Sequence, residues 1–138
     1  MQVSSYETAL LALAAWRAAK SDNIDEILAI ACVIRNQVLR SGLTYSEVIS
    51  TMPLNQGYPP NNHPALIMPG TGLLAQIEDV YTNKMPDLTS NLQFKEGASY
   101  FGRVTDEQGT GSWFEVNILQ QQQFHPLIGQ FGTQQFFK

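Results

Sequence analysis

Twelve carboxylates, two histidines and one cysteine are the groups in this 138-residue chain that could run acid–base, nucleophilic or metal chemistry. Metal binding needs convergent ligands. His63 and His125 lie far apart, each beside a proline, with no HxxxH or HExxH pair, so no zinc set forms and no cofactor is expected. Cys32 is alone in the middle of an apolar helical run and reads as a small buried hydrophobe rather than a nucleophile. No GxSxG elbow, P-loop or GxGxxG is present. That leaves carboxylates, and most of them fall on polar faces, at helix starts or in turns. None sits in an apolar setting that would raise its pKa for acid catalysis. By type and spacing alone, no catalytic residue declares itself.

The elements that must position any site are organised around Leu10–Asn36, two helices joined by a short polar turn. Ser4 with Glu7 three residues on is a capping-box signature. Glu7–Lys20 follows with six alanines and three leucines, and Leu11, Ala14, Ala15 and Ala18 share one face of small residues. Ser21-Asp22-Asn23 breaks this helix, and Asp22 or Asn23 can cap the next. The second helix, from about Ile24 to Leu39, is apolar over so much of its circumference that it must be the core's central element. Gly42 is its natural left-handed cap, and Thr44-Tyr45-Ser46-Glu47 opens a third helix.

Met52–Gly72 carries five prolines and reads as a long irregular loop, with Asn55, Gln56, Tyr58, Asn61 and Asn62 as groups able to stack on or hydrogen-bond sugars. Gly72–Lys84 resumes as a fourth helix. After Pro86 the pattern turns toward period two. Ala98–Phe101 is predicted as a strand, Gly109-Thr110-Gly111 as a turn, Phe114–Leu119 as a second extended run and Gln134–Phe137 as a closing strand. The expected fold is a single α+β domain over residues 1–138, a helical body followed by a small antiparallel sheet.

Three segments, taken in order, resemble the SleB-type cell-wall hydrolases, the spore-cortex-lytic enzyme family. Trp16-Arg17-Ala18-Ala19-Lys20-Ser21-Asp22 is similar to the family's aromatic residue followed by Glu-Ala-Arg-Gly-Glu. The apolar helix then ends in Arg35-Asn36-Gln37-Val38, resembling Leu-Asn-Arg-Val, with no gap between Leu10 and Val38. Further on, Glu96-Gly97-Ala98-Ser99-Tyr100-Phe101 resembles a Gly-Ala-x-x-Phe strand. Ile128-Gly129 and Phe136-Phe137 resemble the terminal Ile-Gly-Asn-His-x-Phe-Phe/Tyr, stretched by a few residues.

The resemblance implies a lysozyme-like helical core and cleavage of peptidoglycan glycan strands, by a lytic transglycosylase or a muramidase, with one glutamate serving as acid and then base. That glutamate aligns with Ala18, which can neither donate nor accept a proton. Ala18 then stands in place of a native Glu, marks a natural pseudoenzyme that keeps the cleft for binding a glycan, a small ligand or a protein partner, or is an ordinary core residue. Trp16, Gln56, Tyr58, Ser99 and Tyr100 are the candidate sugar contacts, in an expected cleft between the first helix end, the Asn55–Asn62 loop and the Tyr100 strand.

The formal charge of −4 and pI near 5.0 argue against a broad nucleic-acid surface. The longest apolar run, Ala9–Trp16, is far short of the ~20 residues that cross a bilayer, and no basic segment precedes it as in a secretory signal. The expectation is a protein made in the cytoplasm, without membrane insertion, that acts at the cell wall once released or delivered, as a phage-type lysin or effector does.

Overall fold

The computed structural model describes residues 5–19, 23–55 and 71–138. Four helices come first: α1 (Ser5–Ala18), α2 (Ile24–Ser41), α3 (Tyr45–Asn55) and α4 (Thr71–Tyr81). The C-terminal third holds β1 (Tyr100–Gly102), two short helices α5 (Val104–Glu107) and α6 (Trp113–Asn117), a 3₁₀ turn over Leu119–Gln121, and the hairpin strands β2 (Leu127–Phe131) and β3 (Gln134–Phe137). The fold is α+β: helices followed by a three-stranded antiparallel sheet of order β1-β3-β2. No helix among the described residues is long and apolar enough to cross a membrane.

Local chemistry sets the helix limits. Asn23 caps α2 by accepting from the backbone N–H of Asp25 and Glu26, and Gly42 ends it at φ 74°. Thr44 and Glu47 bond each other's backbone N–H reciprocally at the start of α3, a complete capping box. The predicted Ser4 cap and Asp22 lie outside the described residues. So does most of the predicted 52–72 loop. Its first part is corrected, because α3 runs through Pro53 to Asn55, and α4 spans Thr71–Tyr81 rather than reaching Lys84.

Every residue of α2 from Glu26 to Asn36 is buried, because α1, α3 and α4 pack around it and the sheet closes the remaining side. Leu11, Ala14, Ala15 and Ala18 of α1 are all buried, and the helix packs against α2, α3 and α4. Ile30 and Ile34 are at most 1% exposed, so truncating either to Ala is expected to cost about 2–5 kcal/mol. Arg35 is buried too. Its Nη1 donates to the carbonyls of Val80 (3.1 Å) and Met85 (2.8 Å), satisfying a backbone acceptor in the last turn of α4.

Alternation along the strands gives the sheet two different faces. Phe101, Phe136, Ile128 and Phe131 turn toward α1 and α2. Tyr100 and Phe137 turn the other way, onto Phe114 and Ile118. The predicted strand over Phe114–Leu119 is corrected: the segment is α6 and the 3₁₀ turn. Ser112 caps α6 by accepting from Glu115 N–H at 3.1 Å, and the helix lies across the sheet's outer face.

Candidate functional site at the end of the first helix

Ala18 is the last residue of α1, so its carbonyl has no partner within the helix. The partner comes from the hairpin. Gln134, 1% exposed, donates its Nε2 to Ala18 O at 3.0 Å. The residue before it makes a second tie: Thr133 donates both its backbone N–H (2.7 Å) and its hydroxyl (2.8 Å) to Glu26 Oε1. Gly132 precedes these two and runs so close to the Glu26 carboxylate that a Cβ there would stand 2.5 Å from Oε1. The C-terminus of α1, the N-terminus of α2 and the β2–β3 turn are thus held as one block.

The chemistry of this block follows from its exposure. Ala18 shows 7% of its surface and offers a methyl group, with no proton to give or take. Glu26 is wholly buried, with Oε1 occupied by two Thr133 donors, so a substrate oxygen has no approach to it. Trp16 is half-buried against the main core. Gln56 and Tyr58 lie outside the described residues, as does the loop proposed to face the cleft.

Ser99 and Tyr100 are not brought to this block. Glu26 and Gln37 are eleven residues apart on α2, roughly 16 Å at the helical rise. Ser99 is at the far end: buried, its carbonyl takes the Gln37 side-chain amide and its N–H donates to Phe137 O. Tyr100 lies on the outer face of the sheet, its ring 5.9 Å from Trp113 and 5.1 Å from His125. Both arrangements correct the expected cleft, since the β1 strand presents neither side chain to Ala18.

The far end carries its own polar network. Asn36 donates to Asp87 Oδ2 (2.7 Å) and to Ala98 O (2.8 Å), while Asp87 Oδ1 takes the N–H and hydroxyl of Thr89. An open depression of about 290 Å³ lies beside it, lined among others by Arg35, Asn36, Asp87, Lys95 and Glu96. Asp87 and Arg35 are already committed to the fold there, so the depression offers ligands mainly the exposed Asn83, Lys95 and Glu96.

The remaining described carboxylates with hydrogen bonds have structural work. Glu7 accepts from Tyr81 hydroxyl, Glu47 caps α3, and Glu115 holds the Gly109–Gly111 turn through two backbone N–H groups. Among the described residues no group of three or more His, Cys, Asp or Glu could hold a metal ion. Cys32 is buried, and loss of solvent pushes its thiol pKa up, away from nucleophilic thiolate.

Sequence reasoning missed Gln134 and Thr133, which reach the block only through the hairpin's fold, and Trp113, which stands just before the Phe114–Leu119 segment read as extended. The Ser112-x-x-Glu115 pattern was the available signal for the last. Comparison with protein-family models, with curated proteins and with solved structures returned no match.

Proposed function

We propose that this chain is a cell-wall-hydrolase-like domain, its helical body of the lysozyme-like kind, that recognises peptidoglycan glycan strands at the end of α1 and, with Ala18 at the acid position, does not cut them. The observation that supports the reading is the convergence of the three SleB-like segments. Asn36, from the Leu-Asn-Arg-Val-like segment, bonds Ala98 of the Gly-Ala-x-x-Phe-like strand. That strand pairs Phe101 with Phe136 of the terminal segment, their rings stacked at 6.0 Å. Segments similar to one family in order are therefore also joined to one another in space.

Position 18 then falls where a glutamate would have a use. It ends a helix, beside a rigid hairpin turn, where its carboxyl would protonate a glycosidic oxygen and afterwards accept the proton of the sugar's own 6-hydroxyl. Loss of such a group costs about 10²–10⁴ in rate. A natural pseudoenzyme is favoured by one feature. Ala18 is 93% buried and its carbonyl is engaged, a fit suited to a small residue that belongs there.

The test is digestion of purified peptidoglycan by this chain and by Ala18→Glu, with mass spectrometry of the products. Anhydro-muropeptides from Ala18→Glu alone would establish transglycosylase geometry at position 18, and reducing-end products a hydrolase. A folded Ala18→Glu that releases nothing would defeat the enzyme ancestry of the cleft.

A further inference from the structure

A second feature stands on the opposite side of the sheet. Tyr100 packs between Trp113 at 5.9 Å and His125 at 5.1 Å, the latter edge-on. His125 is held in turn by its Nδ1 against Lys138 O at 3.0 Å. Trp113 remains 39% exposed and Leu127, beside Tyr100 across β3, 48%. Phe137 and Phe114 lie beneath and are buried, which fixes the platform from below.

The charge around it is unusual. From Gln108 to Phe137 there is no Lys or Arg, and the one carboxylate, Glu115, is 8% exposed and turned into the Gly109–Gly111 turn. The same stretch holds eight glutamines, of which Gln120 to Gln123 are exposed, and the Gln121 carbonyl accepts the His125 N–H. Aromatic faces and neutral amides make up most of this surface, with exposed Lys138, whose carbonyl contacts His125 Nδ1, at its margin. The surface offers what a neutral polyhydroxylated or acetamido ring requires: a flat apolar face to stack on, with amides around it to donate and accept.

We propose that Trp113, Tyr100 and His125 form a binding platform for a neutral, N-acetylated glycan, separate from the α1 block. The choice of an N-acetylated glycan rests on the functional reading above; the platform itself does not. A domain with such a surface holds its polymer at two places, whether or not position 18 can cut.

The probe is a soluble β-1,4-linked hexamer of N-acetylglucosamine, titrated calorimetrically into the whole chain. Trp113→Ala is expected to weaken binding by about tenfold or more, as truncation of a central aromatic anchor does. Leu92→Ser, at an exposed position elsewhere, is expected to bind as the parent does. Affinity is expected to stay level between about 0.05 and 0.5 M salt, since no charge pair is involved. Trp113→Phe, which keeps a ring, should retain most of the affinity and guards against a folding defect.

Equal binding by Trp113→Ala and the parent would overturn the proposal, as would absence of binding by the parent. So would self-association of the parent that Trp113→Ala abolishes, which would give the platform to a second copy. Absence of binding by the parent would also count against glycan recognition at the end of α1, whereas equal binding by Trp113→Ala, or self-association, would overturn the platform and leave that reading standing.

Discussion

Asn36 and Asp87 meet through a 2.7 Å hydrogen bond, Nδ2 to Oδ2, that fastens the central helix to the segment following α4. The same nitrogen reaches Ala98 O, so both donors of one buried amide are spent on holding two chain segments together. Asn36→Ala would strand the buried Ala98 carbonyl and take the donor from a half-buried carboxylate oxygen. We predict a loss of about 2–4 kcal/mol in unfolding free energy, read from urea denaturation, for the two acceptors. An Asn36→Ala variant as stable as the parent would mean that water replaces the amide without cost.

Gly97 lies against this network at φ 74°, and a Cβ there would overlap Asp87 Oδ2 and come within 2.8 Å of Thr89 Oγ1. Gly42 has the same φ with nothing within 4 Å. The pair separates backbone strain from collision. Gly42→Ala is expected to cost about 1 kcal/mol, from the left-handed backbone alone. Gly97→Ala is expected to cost about 2 kcal/mol more, because the Asn36–Asp87–Thr89 contacts must also give way. Matching melting curves for the two variants would remove the network from the explanation.

Much of the helical half was legible because its signals are local. The small-residue face of α1, the Asn23 cap, Gly42 and the Thr44–Glu47 box each depend on neighbours within a few positions. The C-terminal part was less so. Phe114, Val116 and Ile118 alternate with polar residues as in a strand, yet Phe114 and Ile118 are also four apart, and tertiary packing on the sheet chose the helix, leaving Val116 exposed. β2 went unread because Gly129 and Gln130 interrupt it and an irregularity between Leu127 and Gly129 breaks its alternation at a sheet edge. The proposal for position 18 comes from the resemblance alone. The sheet face on which Tyr100 lies depends on strand register, which no short window carries.

Tyr45 and Cys32 make the fold sensitive to alkali. Burial pushes the Tyr45 phenol up to about 12 from 10.0, Arg35 opposing and Tyr81, Cys32 and Glu7 adding to the rise. Burial likewise raises Cys32 above 9.0. Both groups hold their proton more tightly when folded, so their stabilisation is complete below the unfolded values and is lost as pH rises through the folded ones. Stability should therefore decline from about pH 9 and more steeply between 10 and about 12. Tyr45→Phe should flatten the upper part of that decline in denaturant titrations at successive pH values. An unchanged profile in Tyr45→Phe would locate the alkaline transition elsewhere.

The double tie at the β2–β3 turn predicts how position 18 is held. Thr133 needs an acceptor at Glu26 Oε1, and Gln134 needs one at Ala18 O. Glu26→Gln keeps a carbonyl oxygen for Thr133 and should cost about 1 kcal/mol, the loss of charge assistance. Glu26→Ala removes the acceptor, leaves the Thr133 donors stranded and empties a fully buried volume, for a cost of about 3 kcal/mol. Amide exchange at Thr133 should then quicken in Glu26→Ala while that of Ile30, deep in α2, follows only the drop in global stability. In an Ala18→Glu background, Glu26→Ala is expected to lower any glycan-cleaving rate further than its effect on stability explains, because a loosened hairpin no longer fixes the new acid. Full activity in that double variant would show that the hairpin is a structural brace with no part in placing residue 18.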